Sequence, residues 1–225
     1  MAARVDGNTI RTQRTRSRIL AEALRQFNEL GEANVTTGQI ADALGMSPGN
    51  LYYHYRNKDQ IVEELFARFE ERIDVPPPPA LGGPEAIEDL WLYLHLMLEG
   101  IREYRFLYRN LDDLMSRSRK LHDHFNRIID RKHDYVVTLC EGLVAVGAMR
   151  AGPGEIRALA SNILVVATYW LNYQFLRARR SATRSPPGDD ADLGQGAYQV
   201  MSLVAPYLTG VARRHLDRLS RQYVE

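Results

Sequence analysis

Asn50, Tyr53 and His54 fall at i, i+3 and i+4 of one short stretch. An amide, a phenol and an imidazole on one helical face suit hydrogen bonds to base edges and phosphates. A second group, His122, Asp123, His124, Asp130, His133 and Asp134, carries metal-ligand chemistry on a long helical pattern. Its spacing works against a metal, because residues 122 and 124 point about 200° apart on a helix and His122 stands about three turns from His133. Only Asp130 with His133 or Asp134 has usable i, i+3 or i, i+4 spacing, so the group reads as a solvated, charge-laced face and no metal is expected. No phosphate-cradling glycine loop, Walker lysine or nucleophile elbow occurs, so neither a catalytic residue, nor a cofactor, nor an enzymatic activity is expected.

The elements that must position the first group lie between Thr36 and Lys58. Thr36 with Gln39 forms a capping-box pair, and Ile40, Ala41 and Leu44 follow as one apolar face. Gly45 stands where a left-handed residue ends that helix. Ser47 is the cap of a second helix, and Pro48 takes its first position, where a missing N–H does no harm. Leu51 and Tyr55 share the face that packs back on Ile40 and Leu44, which leaves Asn50, Tyr53 and His54 outward. The pattern is a helix-turn-helix with its second helix presented to a partner.

Thr36-Thr37, Ile40-Ala41, Leu44-Gly45-Met46-Ser47, the run Gly49 to Tyr55 and Asn57-Lys58 resemble the DNA-binding domain of the TetR (tetracycline-repressor) family, densely over Ile19 to Leu65. The remaining two thirds match only in the general pattern of long helices. The resemblance implies DNA contacts at Thr37, Asn50, Tyr52, Tyr53, His54 and Lys58, with Ser47 and Gly49 close to the groove at the start of the recognition helix. It gives Lys58 a phosphate to hold together with backbone N–H groups. Gly38 departs from the pattern, since some relatives carry a base-reading arginine there, so fewer bases are read from the first helix of the motif. The family implies a homodimeric regulator, most often a repressor, bound to double-stranded DNA at a palindromic operator and released by a small-molecule effector. The alternative is a helix-turn-helix regulator without such a ligand, controlled by a protein partner.

Composition bounds these readings. Lys plus Arg number 29 against 28 Asp plus Glu, so global charge says nothing of nucleic acid and the basic character is local. Arg4, Arg11, Arg14, Arg16 and Arg18 all precede Ile19 and make a basic arm. The single cysteine, Cys140, excludes an intramolecular disulfide framework and, among Val136, Val137, Leu139 and Leu143, reads as an inert core thiol. With a polar N-terminus that lacks a signal-peptide core, the expected location is the cytoplasm of a bacterium, on the nucleoid when DNA-bound. Ala158 to Leu176 is free of charge but carries Ser161, Asn162, Thr168, Asn172 and Gln174, which argues for a helix in a bundle or at a subunit interface and against a membrane.

The fold class is all-α. A helix-turn-helix DNA-binding domain is expected over 1–74, with 1–10 disordered or weakly ordered and a first helix that begins near Gln13 to Ser17 and runs to Leu30. A stiff proline-rich link follows at 75–84, then a larger helical ligand-binding and dimerisation domain over 85–225. In that domain helices are expected over about 86–104, 105–117, 120–146, 155–180 and 193–223, the last bent at Pro206. The last two are expected to form a four-helix interface with their symmetry mates, with Leu203 and Leu208 in it. The aromatic residues of 86–176 exceed what helix layering needs, so a mainly apolar effector of drug-like or acyl-chain size is expected against Trp91, His95, Tyr108, Tyr169, Trp170 and Tyr173. His95, Asn162, Tyr169 and Asn172 are its candidate polar handles.

Overall fold

Ile19, Leu20, Ala23 and Phe27 are wholly buried at helical spacing, and they set the first helix against the next three. The computed structural model describes residues 7–74, 85–178 and 190–221. In chain order the α-helices are α1 (Gly7–Leu30), α2 (Thr37–Ala43), α3 (Pro48–His54), α4 (Lys58–Ile73), α5 (Glu85–Glu103) and α6 (Arg105–Arg109). They continue with α7 (Leu111–Arg117), α8 (Arg119–Ala145), α9 (Pro153–Ala178), α10 (Asp190–Val204) and α11 (Gly210–Ser220). Among the described residues there is no strand, only an isolated bridge between Met149 and Leu208.

Two apolar clusters organise these helices. The first joins α1–α4 to α6, α7 and the start of α8, with Phe27 5.2 Å from Phe106 between ring centroids, and Phe69 5.8 and 5.7 Å from Tyr104 and Tyr108. The second joins α5, α8, α9, α10 and α11 around Leu94, Leu139, Leu159, Val200 and Leu216. The polar groups at the seam are satisfied across it. Asn28 of α1 donates to the Glu103 carbonyl at 2.8 Å and accepts from the Phe106 amide at 3.0 Å. The reading head is therefore welded to the α5–α6 corner, while the expected link at 75–84 lies outside the described residues.

Several boundaries differ from the sequence expectation. α1 begins at Gly7, because nothing in 7–16 breaks a helix and the apolar stripe marks only its packed part. The expected 105–117 helix is two, parted at Asn110. The expected 193–223 helix breaks completely: α10 stops at Val204, Ala205–Tyr207 forms a 3-10 turn around Pro206, and α11 restarts at Gly210 with φ 52°. Pro206 lacks the donor a continuous helix needs. The freed chain instead docks on the α8–α9 turn, where Arg150 donates to the Tyr207 carbonyl at 2.8 Å and Thr209 to the Ala148 carbonyl at 2.9 Å. That docking buries Leu208 inside its own chain at 6% exposure, and Leu203 packs half-buried on the second cluster. Leu208 is therefore a residue of the chain's own core, which corrects the expectation for it, while Leu203 keeps part of its surface exposed.

Cys140 is buried in the second cluster, and desolvation, helped by Glu141, pushes its thiol up to about 11. Alkylation of the native protein at pH 8 is expected to wait on unfolding; labelling at the rate of a free thiol would contradict this.

Candidate nucleic-acid interface

Both helices of the motif are fixed by caps at each end. Thr36 Oγ1 accepts from the Gln39 amide at 3.2 Å and the Gln39 side chain accepts from the Thr36 amide at 2.8 Å, a complete capping box. At the other end Gly45 has φ 64°, its N–H reaches the Asp42 carbonyl, and Met46 N–H reaches the Ala41 carbonyl, both at 3.0 Å. These are the two bonds of a Schellman stop. Ser47 Oγ then accepts from the Asn50 amide at 3.2 Å, with Pro48 opening α3. Ile40, Ala41 and Leu51 are wholly buried beneath the turn, with the Ile40 and Leu51 side chains each worth about 1.5–3 kcal/mol of burial.

The outward face of α3 carries the side chains the sequence singled out. Ser47, Gly49 and Asn50 are exposed, Tyr52 is half exposed and Tyr53 is 78% exposed. The Tyr52 hydroxyl stands 3.2 Å from Thr37 Oγ1, so α2 and α3 present Thr37 and Tyr52 as one surface. A Cβ added at Gly49 would meet nothing within 4 Å, so the chain itself does not require glycine there; Gly38 is similarly uncrowded. His54 is half-buried, edge-on to Tyr53 at 5.2 Å. Desolvation, and then the Arg16 charge, hold its imidazole below the usual range.

Two supports of this face were not legible in the motif. Arg16 of α1 lies over the Tyr55 ring at 4.4 Å, donates to the His54 carbonyl at 3.1 Å and pairs with Glu64. The Tyr55 hydroxyl donates to the same Glu64 at 2.9 Å, and desolvation followed by that bond drives the phenol upward. The C-terminal end of α3 is thereby pinned to α1 and α4. Lys58 is the second case. Its ammonium donates to the Glu32 and Val35 carbonyls at 2.8 and 3.1 Å and lies 3.0 Å from Glu32 Oε1. Two donors are thus committed within the chain and the charge is paired with Glu32, so Lys58 is held as a positioning residue while Arg11, Arg14, Arg18 and Arg56 remain exposed. Glu32 is wholly buried, and its other oxygen takes the Arg117 guanidinium of α7 at 2.7 Å.

The residues expected around an effector do not form one site. Tyr108 borders a cavity of about 70 Å³ among α4, α5, α6, α8 and α9, walled by Met97, Ile101, Ile128 and Leu164 and containing Lys132. Tyr169, Trp170 and Tyr173 instead flank an open hollow of about 510 Å³ between α9 and α10, with Tyr169 and Tyr173 about half exposed. Trp170 packs on Gly196, where an added Cβ would come within 2.8 Å of the indole. Trp91 and His95 stack on one another at 3.8 Å, with His95 Nδ1 3.0 Å from the Trp91 carbonyl, and neither lines the cavity. Of the candidate handles, Asn162 is exposed and Asn172 donates to the Tyr108 carbonyl at 3.0 Å. Lys132 was missed although its signal was present: it sits on the stripe Ile128, Ile129, Lys132, Tyr135, Val136.

The histidine and aspartate group of α8 is dispersed over separate pairs, such as His124 with Glu70 of α4 at 3.2 Å. Among the described residues no cluster is placed to hold a metal, and no helix is long and apolar enough to cross a membrane.

Comparison with known proteins agrees with this geometry. A family model of bacterial regulatory proteins of the tetR family matches residues 19–65, and one of bacterial transcriptional repressors matches 66–216. The chain is 26% identical over 161 residues to the HTH-type transcriptional regulator TtgR of Pseudomonas putida, covering 69% of this chain and 76% of that protein. A crystal structure of a TetR-family transcriptional regulator from Marinobacter aquaeolei VT8 is 32% identical, spans 93% of this chain and 98% of its own, and superposes with a TM-score of 0.78. A protein from Saccharomonospora viridis crystallised with choline shares the fold at 18% identity, over 88% of this chain and 100% of its own, with a TM-score of 0.65.

Proposed function

The chain belongs to the TetR family of bacterial transcriptional regulators, which bind DNA, and from that premise we propose that it is a repressor acting as a homodimer on a palindromic operator and released by a small molecule. The observation that carries the reading is the exposed Asn50, Tyr52 and Tyr53 face of a helix capped at Ser47 and pinned at Tyr55. In this reading Thr37, Ser47, Gly49, Asn50, Tyr52, Tyr53 and His54 face the groove, and Arg11, Arg14, Arg18 and Arg56 supply the phosphate contacts. Lys58 contributes through the start of α4. The working parts are residues 1–74 and 85–225, joined by 75–84.

Dimerisation runs through α9 and α10. Val165, Tyr169, Tyr173 and Leu176 recur at steps of four, four and three along α9 and are 47–69% exposed, an apolar stripe that a monomer leaves in water. Paired with its mate, α9 with α10 makes a twofold four-helix contact. The effector occupies the cavity at Tyr108, not the Tyr169–Tyr173 surface. Its volume of about 70 Å³ is well under the 300 Å³ or so of a drug-sized pocket, so the effector is small or the helices part to admit it. A regulator governed by a protein partner alone would leave that cavity without a role.

Asn50→Ala tests the reading head. Its side chain makes no hydrogen bond among the described residues, so the fold should be unaffected. The variant is expected to lose about 1–3 kcal/mol on cognate DNA and little on random sequence. Equal losses on both DNAs in a binding titration would remove Asn50 from the base-reading set.

A further inference from the structure

Lys132 is the cation of an otherwise apolar cavity. Its ammonium donates to the Ile73 carbonyl at 2.9 Å and the Tyr93 hydroxyl at 2.8 Å, both neutral acceptors. Among the described residues no carboxylate comes within 4 Å of it, and Asp74, the acid whose charge it feels, pairs with Arg131 at 3.5 Å. Desolvation, opposed by Asp74 and reinforced by Arg131, brings the amine down to about 8. Around it stand Met97, Ile101, Ile128, Leu164 and Ala167. A part-buried ammonium with one donor left and no carboxylate within 4 Å among the described residues is stabilised by an incoming anion more than by any neutral group.

We infer that the cavity takes a small apolar carboxylate, its charged end on Lys132 Nζ and its hydrocarbon among Met97, Ile101, Ile128 and Leu164. One cation matches one negative charge, and no second charged side chain lines the cavity to balance a phosphate dianion. A cavity of about 70 Å³ limits the acid to a short chain. The inference rests on the ligand-released reading and adds a route for it. Ile73 is the last residue of α4, and Lys132 satisfies one of the carbonyls that a helix end leaves open. A carboxylate that draws the ammonium competes with that carbonyl, so occupancy of the cavity and the position of α4, which follows the recognition helix, are linked.

The test is calorimetric titration of the intact protein with pentanoate, 1-pentanol and 1-pentylamine, with operator release measured beside it. Pentanoate is expected to bind about tenfold or more tighter than 1-pentanol, and the amine not at all. Lys132→Met should abolish the preference for pentanoate, weaken ligand-free operator binding in the direction that pentanoate does because the bond to the Ile73 carbonyl is lost, and melt cooperatively. The comparison of acid with alcohol on the wild-type protein needs no variant, so it stands even where Lys132→Met does not fold. Equal binding of acid and alcohol, with either releasing the operator, would overturn the anion inference and leave the ligand-released reading intact. Binding of none of the three, with operator binding intact, would overturn the inference.

Discussion

Glu32→Ala is expected to lower the free energy of unfolding by about 3 kcal/mol, the low end of the range for breaking a buried ion pair. Glu32 is wholly buried, with Lys58 3.0 Å from one oxygen and Arg117 2.7 Å from the other. Removing the carboxylate leaves two cations facing one another across a cavity the size of its side chain. Lys58 and Arg117 are 24% and 42% exposed, so both can partly rehydrate, which is why the low end applies. Because Lys58 opens α4 and Arg117 closes α7, the loss falls on the contact between the reading head and the larger helical part. Urea denaturation checks it: the midpoint should fall with the slope unchanged. A shift of less than about 0.5 kcal/mol, the scale of a surface change, would mean that Glu32 does not clamp the two parts.

The second large effect concerns assembly. Val165→Asp with Tyr169→Asp is expected to give a monomer at micromolar concentration and to weaken operator binding by about 10²–10⁴-fold, the gain lost when two tethered half-site contacts become independent. Both side chains lie outside the chain's own apolar clusters at 59% and 47% exposure, so the melting of the monomer should show an intact fold. Sedimentation and operator titration together decide the matter. A variant that still sediments as a dimer, or a monomer that binds the full operator tightly, would place the interface elsewhere. Charged residues at Leu203 and Leu208, the choice that periodicity suggests, would fail as probes, because Leu208 is buried in its own chain.

The helix-turn-helix was legible in the sequence because each of its signals is local. A capping box spans four residues, a Schellman stop needs one glycine, and Ser47-Pro48 marks a helix start without reference to the rest of the chain. What the sequence hid depends on residues far apart. Arg16 and Glu64 meet across 48 positions, Glu32 and Arg117 across 85, and no periodicity foretells either pair. Lys58 matches a phosphate-binding position by spacing, yet Glu32 turns its ammonium inward. The aromatic count of 86–176 was real, but it mixed three environments: the cavity at Tyr108, the stacked Trp91 and His95, and the outer stripe at Tyr169 and Tyr173. A helix pattern gives the apolar face and not what covers it, so pocket, core and interface residues look alike until packing separates them.

The central claim, that a twofold dimer reads DNA through α3, is tested most directly by selecting sequences from random duplexes with the purified protein and determining the chains bound per selected duplex. The account predicts an inverted repeat whose half-site centres lie about one helical turn, or a multiple of it, apart, bound by chains in twofold pairs. Enrichment of no sequence, or of a single asymmetric site that one chain binds with full affinity, would contradict it.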